Sequence, residues 1–296
     1  MKRKSVIAIG NFDGFHLGHK KIINELFHIG NREKLLPILV TFSPNPKVYF
    51  KKETQLIFTD KQKKNCLLSI GLDNFIFMDF NQIVGIHGET FIKKKLIENL
   101  KMTHLVVGYN FKFGNGRDCG INSLKKLSME LRFELTVIAP ILLKNKKISS
   151  TLIRSKIREG LMSEVAELLG HNFYIDGVII KGYGRGKNLG FPTINIETEN
   201  NLLPMGVFNT IVHVEDKKYN ALTNIGFNPT FNNHDRKQKI KVETHILDFN
   251  KSLYGNSVRI FFKKKIRDEK KFKSEKELTE RIKRDVQIFN YSFNDK

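Results

Sequence analysis

The spacing of apolar residues changes at about residue 170, and this change constrains the fold more than any other feature of the sequence. Before it, short apolar runs alternate with segments of helical periodicity. The runs are residues 6–9, 36–42, 75–78, 105–107 and 135–139, and the helical segments are residues 20–27, 61–68, 91–100 and 124–131. Such alternation predicts repeated βαβ units and therefore an α/β domain with a mostly parallel sheet. Ligands bind such sheets at the carboxyl ends of the strands.

A helical pattern then covers about residues 150–169 and ends at Gly170, a helix-stop signal. Beyond it, β-rich runs are separated by turns, which is the spacing of an antiparallel barrel or sandwich. These runs are residues 174–180, 207–214, 219–225, 240–247 and 258–262. One last helix is predicted because Leu278, Ile282, Val286 and Phe289 form a single apolar stripe. We therefore predict two domains, residues 1–170 and 171–296.

The chain is basic, with 51 Lys and Arg against 30 Asp and Glu, a net charge of +21. This charge would suit a nucleic-acid partner, but it is spread along the chain, and the densest stretch, residues 263–276, also contains acids. We therefore expect no nucleic-acid partner. Only two cysteines occur, Cys66 and Cys119, so neither a disulfide framework nor a zinc ribbon is expected. No apolar stretch is long enough to span a membrane, and we expect a cytoplasmic protein.

The first chemically informative segment follows the first predicted strand and reads GNFDGFHLGH, residues 10–19. Two histidines three residues apart at a helix start, His16 and His19, can both face one ligand, and glycines let the backbone approach it. Imidazoles there can donate hydrogen bonds to the oxygens of a triphosphate, where charge accumulates during nucleotidyl transfer. The alternative is a glycine-rich turn with incidental histidines.

Further segments fit the same kind of site. Residues 148–154, ISSTLIR, place hydroxyls at a helix start and Arg154 one turn later, which suits phosphate oxygens or a simple helix cap. Residues 41–46, TFSPNP, and residues 108–114, GYNFKFG, follow strand ends and combine aromatic rings with amides. Such loops could hold a planar ring, or they could be ordinary loops.

The second half of the chain has its own glycine-rich segment with candidate binding residues, GYGRGKNLGFPTIN at residues 182–195. Its four glycines and cationic pair can wrap phosphates, although the spacing is that of neither a P-loop nor a dinucleotide fold. A glycine-rich hairpin turn is the alternative. The oxygens of Thr193 and Asn195 are hard donors suited to Mg²⁺. Glu243 lies in an alternating run and either faces solvent or accepts a proton from a substrate hydroxyl.

In their order along the chain, GNFDGFHLGH, TFSPNP, GYNFKFG and ISSTLIR resemble the FMN adenylyltransferase domain of the bacterial bifunctional riboflavin kinase/FMN adenylyltransferases, the FAD synthetase family. The resemblance implies a Rossmann-like nucleotidylyltransferase fold of the HxGH type, with His16 and His19 as catalytic residues. It implies an ATP site of Gly10, Phe12, Asp13, Gly14, His16, His19, Ser150, Thr151 and Arg154, and a flavin site of Asn45, Asn110 and Phe111. Asn45 stands where the family has histidine and Asn110 where it has aspartate, and either change would lower adenylyl transfer or alter the flavin and metal contacts.

The second half resembles the riboflavin kinase domain of the same family through GYGRGKNLGFPTIN, MGVFN, NIGFNPTF, VETHILDFNKSLYG and IRDEKKF. The resemblance implies an antiparallel β-barrel with a C-terminal helix, Mg²⁺-ATP at Thr193 and Asn195, and Glu243 as the general base. The implied nucleotide-binding residues are Gly182, Gly184, Arg185, Gly186, Lys187, Gly190, Gly206, Val207 and Phe208, and the implied flavin-binding residues are Arg267 and Glu269. Ile194 replaces the usual alanine, and Asn228 stands where a basic residue is common.

The family implies phosphorylation of riboflavin to FMN, followed by adenylylation of FMN to FAD and pyrophosphate. The expected partners are therefore riboflavin, FMN and ATP, and Mg²⁺ is the expected metal, with no zinc and no covalently bound cofactor. We expect a monomer or a weak homo-oligomer. Two alternatives stay open: a riboflavin kinase whose first domain is only a scaffold, and a flavin-sensing or RNA-binding module.

Overall fold

The structure is a computed structural model, and it describes residues 3–51, 53–182, 190–227, 240–249, 251 and 253–294. The chain divides into two compact units, Met1–Ser150 and Thr151–Lys296. The boundary that the sequence predicts, at residue 170, lies about 20 residues after this division. The helices between these two positions group with the second unit, where one of them packs against a barrel strand.

The first unit is built on a five-stranded parallel sheet with the order β3-β2-β1-β4-β5. Its strands are β1 (Ser5–Ile9), β2 (Leu36–Ser43), β3 (Phe75–Asp79), β4 (Met102–Gly108) and β5 (Glu134–Ile138). Its helices are α1 (Leu17–Arg32), α2 (Pro46–Phe50), α3 (Asp60–Ser69), α4 (Gly88–Thr90, continued as the π-helix Phe91–Glu98) and α5 (Ile121–Glu130). A small hairpin, β6 (Leu142–Leu143) and β7 (Lys146–Lys147), follows. The predicted α/β fold is confirmed.

The core of this unit lies between the sheet and its covering helices. Ile7, Val40 and Leu105 come from neighbouring strands, and Leu96 and Leu124 come from helices; all are fully buried. Burial of one such side chain stabilises a fold by about 1.5–3 kcal/mol. This packing fixes the carboxyl ends of β1, β2 and β4, so the three loops that the sequence singles out emerge from one edge of the sheet.

The predicted single helix over residues 150–169 is wrong, because the structure has two helices, α6 (Ser150–Glu159) and α7 (Met162–Leu169). Gly160 between them has a φ of 78°, a left-handed conformation that ends a helix. A Cβ at this position would also lie 2.5 Å from Cδ of Lys265, so that flexible side chain would have to move to make room for it. The predicted stop at Gly170 is confirmed by its φ of 69°.

The second unit contains a closed barrel of described strands in the order β10-β11-β12-β9-β8-β13. The strands are β8 (Tyr174–Ile180), β9 (Ile194–Glu197), β10 (Gly206–Val214), β11 (Lys217–Phe227), β12 (Ile240–Ile246) and β13 (Ser257–Arg267). The sequence analysis did not predict β9, a four-residue strand that follows a proline. All neighbouring strands are antiparallel, so the predicted barrel is confirmed.

Alternate residues of these strands face the barrel interior. Thr223 lies at the centre of one buried polar chain, 2.8 Å from the hydroxyl of Thr210 and 3.0 Å from that of Thr244. Because Thr244 points inward, its neighbour Glu243 points outward. The helix α8 (Glu275–Asn294) follows the barrel as the sequence predicts.

Candidate active sites

The loop after β1 carries Gly10, Phe12, Asp13 and Gly14 in a tight turn that leads into α1. Phe12 has a φ of 46° and Gly14 a φ of 83°. A left-handed conformation costs a residue such as phenylalanine about 1–3 kcal/mol, so tertiary packing must impose it. Phe12 is buried and stacks on Phe15, with ring centroids 6.2 Å apart. The turn is therefore held rigidly by its own aromatic side chains.

The two predicted catalytic histidines lie against each other at the start of α1. Their rings are stacked with centroids 3.6 Å apart and an angle of 15° between the planes. His16 is the N-cap of α1, and its Nδ1 accepts a hydrogen bond of 3.3 Å from the backbone N–H of His19. A Cβ on Gly18 would lie 3.1 Å from the His16 ring, which explains the glycine between the histidines. Because Nδ1 of His16 accepts this bond from the His19 backbone, a neutral His16 carries its proton on Nε2.

His19 has an unusual environment. Its Nδ1 atom is buried and has no hydrogen-bond partner in the described part of the chain. Burial holds the pKa of His19 well below its usual range, and the charges of His16 and Lys63 lower it further. Phe12 packs edge-on against this ring, with centroids 5.3 Å apart. The low pKa makes His19 a neutral imidazole, and its buried Nδ1 is an unsatisfied polar atom in the described part of the chain, which is uncommon in folded proteins.

Lys63, on α3, is a residue that the sequence analysis missed. Its side chain is only 1% exposed, and its Nζ lies 3.3 Å from the carboxylate of Asp60 and 5.4 Å from the ring centroid of Phe77. Asp60 also accepts a 2.6 Å hydrogen bond from the hydroxyl of Ser43 at the end of β2. In the sequence, Lys63 is one of several lysines on a polar helix, so only packing distinguishes it.

The side chain of Asp13 holds the turn against the backbone of a neighbouring segment. Its Oδ1 accepts hydrogen bonds from the backbone N–H groups of Ile57 and Phe58, at 2.9 and 3.1 Å. The hydroxyl of Ser150 donates to the backbone carbonyl of Asp13 at 3.2 Å. The structure therefore brings Ser150 to the histidine turn, as expected of a shared site. Arg154 lies in the second unit, where it is buried and its Nη2 donates to the hydroxyl of Thr151 at 3.3 Å.

The predicted flavin residue Asn45 caps α2, since its Oδ1 accepts a hydrogen bond of 3.0 Å from the backbone N–H of Lys47. An aromatic cluster that the sequence analysis missed adjoins it, consisting of Tyr49, Phe50 and Phe80. Phe80 packs against Tyr49 and Phe50 with ring centroids 5.2 and 5.8 Å away. Phe50 is 68% exposed, although it is apolar. We call these three side chains the aromatic ledge.

The other predicted flavin residues follow β4. Asn110 is exposed, whereas Phe111 is half-buried and stacks on Phe113 with ring centroids 5.1 Å apart. Phe111 packs against the core of the first unit. Its ring therefore helps to shape the loop.

In the second unit, the predicted general base lies in a polar row on the outside of the barrel. Glu243 on β12 is directly opposite Asn195 on β9, and on its other side it is directly opposite Asn224 on β11. Residues paired in this way point to the same face, with Cβ atoms about 4.5–5.5 Å apart. Glu243 and Asn195 are thus brought together as a shared site requires. Asn224 belongs to a quoted motif, but the sequence assigned it no role.

Close packing also positions the proposed metal-binding residues. A Cβ at Gly182 would overlap the side-chain amide of Asn195, so the glycine makes the space that this amide occupies. The ring Nδ1 of His245 is 2.8 Å from the carbonyl oxygen of Pro192, and the ring packs edge-on against Phe191. Thr193 follows directly and is exposed. His245, another residue that the sequence analysis missed, therefore holds the segment beside Glu243.

The remaining predicted nucleotide residues differ in their surroundings. Gly190 has a φ of 80° and open space around it, whereas Gly206 has a φ of 118°, and a Cβ there would lie 2.6 Å from the carbonyl oxygen of Arg267. Val207 is buried, and Phe208 is fully buried and packs edge-on against Phe262 inside the barrel. The side chain of Phe208 is therefore core, and its backbone lies in a strand that pairs on both sides, opposite Thr223 and Lys265. Predicted residues Gly184, Arg185, Gly186 and Lys187, and the noted Asn228, lie outside the described residues.

A pocket of about 490 Å³ lies between the end of β13 and α8. It contains both predicted flavin residues of this unit, Arg267 and Glu269. The carboxylate of Glu269 accepts a hydrogen bond of 3.3 Å from the backbone N–H of Phe227. The pocket is lined by Arg267, Asp268, Glu269, Lys270, Phe272, Glu277, Glu280, Arg281 and Arg284.

Comparison with known proteins identifies the two units. A model of the FAD synthetase family matches residues 1–152, and one of the riboflavin kinase family matches residues 169–293. A bifunctional riboflavin kinase/FMN adenylyltransferase from Buchnera aphidicola subsp. Acyrthosiphon pisum is 37% identical over 98% of this chain and 94% of its own length. The chain belongs to this family of bifunctional enzymes.

Two further bacterial family members cover nearly the same length. The Bacillus subtilis protein is 34% identical over 96% of this chain and 91% of its own length. The Escherichia coli K12 protein is 32% identical over 95% of this chain and 90% of its own length. A crystal structure titled a macrolide-efflux protein from Streptococcus pneumoniae is similar with a TM-score of 0.87 and 26% identity, covering 98% of this chain and 95% of that one. Within the described residues, no helix has both the length and the apolar character needed to cross a membrane.

Proposed function

We propose that this chain catalyses two ATP-dependent reactions in sequence. The barrel unit transfers the γ-phosphoryl group of ATP to the 5′-hydroxyl of riboflavin, giving FMN and ADP. The first unit joins FMN to the AMP portion of a second ATP, giving FAD and pyrophosphate. The observation that carries this proposal is that each unit matches one of the two family models. It is supported by the clustering of predicted site residues in each unit, the stacked His16 and His19 in the first and the paired Glu243 and Asn195 in the second.

In the kinase reaction, Glu243 accepts the proton of the riboflavin hydroxyl while the hydroxyl oxygen attacks the γ-phosphorus and ADP leaves. Asn195, directly opposite Glu243, and the exposed Thr193 supply oxygen donors for Mg²⁺. The space that Gly182 leaves for the Asn195 amide supports this fit. Bound Mg²⁺ would neutralise charge on the ATP phosphates.

In the adenylyl-transfer reaction, a phosphate oxygen of FMN attacks the α-phosphorus of ATP, and pyrophosphate leaves. His16 and His19 bind the phosphate oxygens as hydrogen-bond donors, and they form no covalent bond to the substrate. The neutral state of His19 follows from the low pKa that its burial causes. Ser150, Thr151 and Arg154 are the proposed partners of the β- and γ-phosphates.

We assign the flavin of the first unit to the aromatic ledge, because an exposed apolar ring such as Phe50 beside Asn45 offers a stacking surface. The change from the expected histidine at position 45 retains a polar side chain that caps α2 and leaves the histidine pair in place. We therefore favour an active first unit over a scaffold. In the barrel unit, the pocket beside Arg267 is the proposed site of the isoalloxazine ring.

The experiment that tests the proposal is incubation of the purified chain with riboflavin, ATP and Mg²⁺, followed by chromatography of riboflavin, FMN and FAD over time. FMN that rises and then converts to FAD is the expected result. FMN that accumulates without FAD, under air and under reducing conditions, would favour the kinase-only alternative. Glu243→Gln should stop FMN formation but not adenylylation of supplied FMN, and His19→Ala should do the reverse.

The remaining parts of the proposal concern partners and compartment. Both reactions consume ATP, so we propose the cytoplasm as the compartment, with riboflavin, FMN and ATP as partners. We propose no nucleic-acid or membrane partner and a monomer or weak homo-oligomer. Salt-sensitive RNA binding without flavin turnover would instead indicate the RNA-binding alternative.

A further inference from the structure

Asp285, on α8, is a buried carboxylate beside the β13–α8 pocket, and no step of the proposed reactions uses it. Its side chain is only 2% exposed. Its Oδ2 accepts a 2.8 Å hydrogen bond from Nε of Arg267, and its Oδ1 accepts a 3.0 Å hydrogen bond from Nε of Arg281. Both carboxylate oxygens therefore bind arginines, one from the barrel and one from its own helix.

Both of these arginines line the pocket. The Arg267 guanidinium lies 5.6 Å from the ring centroid of Phe272, and its Nη1 donates to the carbonyl oxygen of Asp268 at 3.1 Å. Nη2 of Arg267 has no hydrogen-bond partner in the described part of the chain. The guanidinium is thus fixed on two sides and keeps one donor nitrogen for a ligand.

Charge explains why the carboxylate matters for this orientation. Four carboxylates, those of Asp268, Glu269, Glu277 and Glu280, line the pocket, so a guanidinium there has several charged groups towards which it can turn. The lining also contains four cations, Arg267, Lys270, Arg281 and Arg284. Asp285 neutralises two of them through charge-assisted hydrogen bonds, which are shorter and stronger than neutral ones. A neutral side chain of the same shape at position 285 would leave Arg267 free to turn towards solvent.

We propose that Asp285 is a positioning residue for riboflavin in the kinase reaction, acting through Arg267 and Arg281. This inference rests on the proposed function, in which the pocket holds the isoalloxazine ring. That ring offers carbonyl oxygens and ring nitrogens as acceptors for an arginine N–H. Asp285 touches no substrate; it sets the direction of the guanidinium that does.

The test is the full-length Asp285→Asn variant, because asparagine keeps the shape and removes the charge. The expected result is a riboflavin KM raised about tenfold, a kcat within about twofold of the parent protein, and an unchanged KM for ATP. Adenylylation of supplied FMN should be unaffected. Glu275→Gln is the matched control, since it removes one negative charge from the exposed first turn of the same helix, outside the pocket.

The outcomes separate this inference from the function on which it rests. An unchanged riboflavin KM in Asp285→Asn, while Arg267→Lys raises that KM, overturns the role of Asp285 and leaves the flavin pocket standing. Equal losses in both substrate KM values and kcat, with a lower melting temperature, would mean a structural role only. A parent protein that does not phosphorylate riboflavin would refute the proposed function itself. If Asp285→Asn does not fold, Arg281→Gln replaces it, because it removes one of the two arginines through which Asp285 acts, and a riboflavin KM equal to that of the parent overturns the inference.

Discussion

Replacement of Gly182 by alanine should damage the kinase site while leaving the barrel folded. A Cβ at Gly182 would lie 2.8 Å from Cγ of Asn195, whereas favourable contacts between carbon atoms are about 3.5–4.0 Å long. The Asn195 side chain must therefore move by about 1 Å to make room. That movement is cheap for the fold, because the atoms in the way are the end of a side chain.

The cost to catalysis should be much larger than the cost to the fold. A displacement of about 1 Å in a positioning group can lower a rate by about 10²-fold, or about 2.7 kcal/mol of barrier. We expect Gly182→Ala to reduce kcat/KM for Mg²⁺-ATP in the phosphorylation of riboflavin by about this factor. The rate should be measured by chromatography of FMN at saturating riboflavin and varied Mg²⁺-ATP. Adenylylation of supplied FMN should not change.

A double-mutant cycle tests whether the loss acts through Asn195. In a chain that already carries Asn195→Ala, the amide is absent, so Gly182→Ala should cost less than about a factor of two more. Gly85→Ala is a suitable control because no atom lies within 4 Å of a Cβ there. Full kinase activity in Gly182→Ala, or additive losses in the double variant, would refute this account of the site.

Three further predictions concern other residues that the structure singles out. The pKa of His19 is low in the folded state, so the unfolded chain takes up a proton first as the pH falls. The first unit should therefore lose stability below about pH 6.5. The melting temperature should fall less between pH 7.5 and pH 5.5 in His19→Asn than in the parent protein. His245→Phe keeps the ring contact with Phe191 but loses the bond to Pro192, and it should raise the KM for Mg²⁺-ATP without lowering the melting temperature by more than a few degrees; an unchanged KM would remove His245 from the site. Thr223→Val removes the hydroxyl that bonds to Thr244 inside the barrel and leaves Thr210 with its bond to the carbonyl oxygen of Ala221. It should cost about 1–3 kcal/mol in urea unfolding, and a cost near zero would contradict the hydroxyl chain.

The sequence determined most of the elements, their order and the chemical segments, because these are local properties. A strand places alternate residues on one face and a helix repeats every 3.6 residues, so the alternation over residues 6–139 already predicted the parallel sheet. The histidine pair could be predicted for the same reason, since residues three apart at a helix start lie on one side. The apolar stripe of the last helix likewise predicted α8.

Features that depend on long-range packing appeared only in the structure. The helix over residues 150–169 is broken at Gly160, which has a φ of 78° and lies against the side chain of Lys265, far along the chain. Strand β9 is too short to show a clear periodicity, and it forms because β8 and β12 supply its hydrogen bonds on both sides. Register, which sets Glu243 opposite Asn195 and Asn224, follows from closure of the barrel.

The electrostatic features of the sites divide in the same way. Lys63 and Asp285 are two charged residues among many in helices rich in charge, and nothing in their neighbours along the chain separates them. Tertiary packing buries both, one beside His19 and the other between two arginines. The sequence therefore determined which chemical groups this protein has, and burial, a property of the folded chain alone, decided which of them are charged, neutral or held in place.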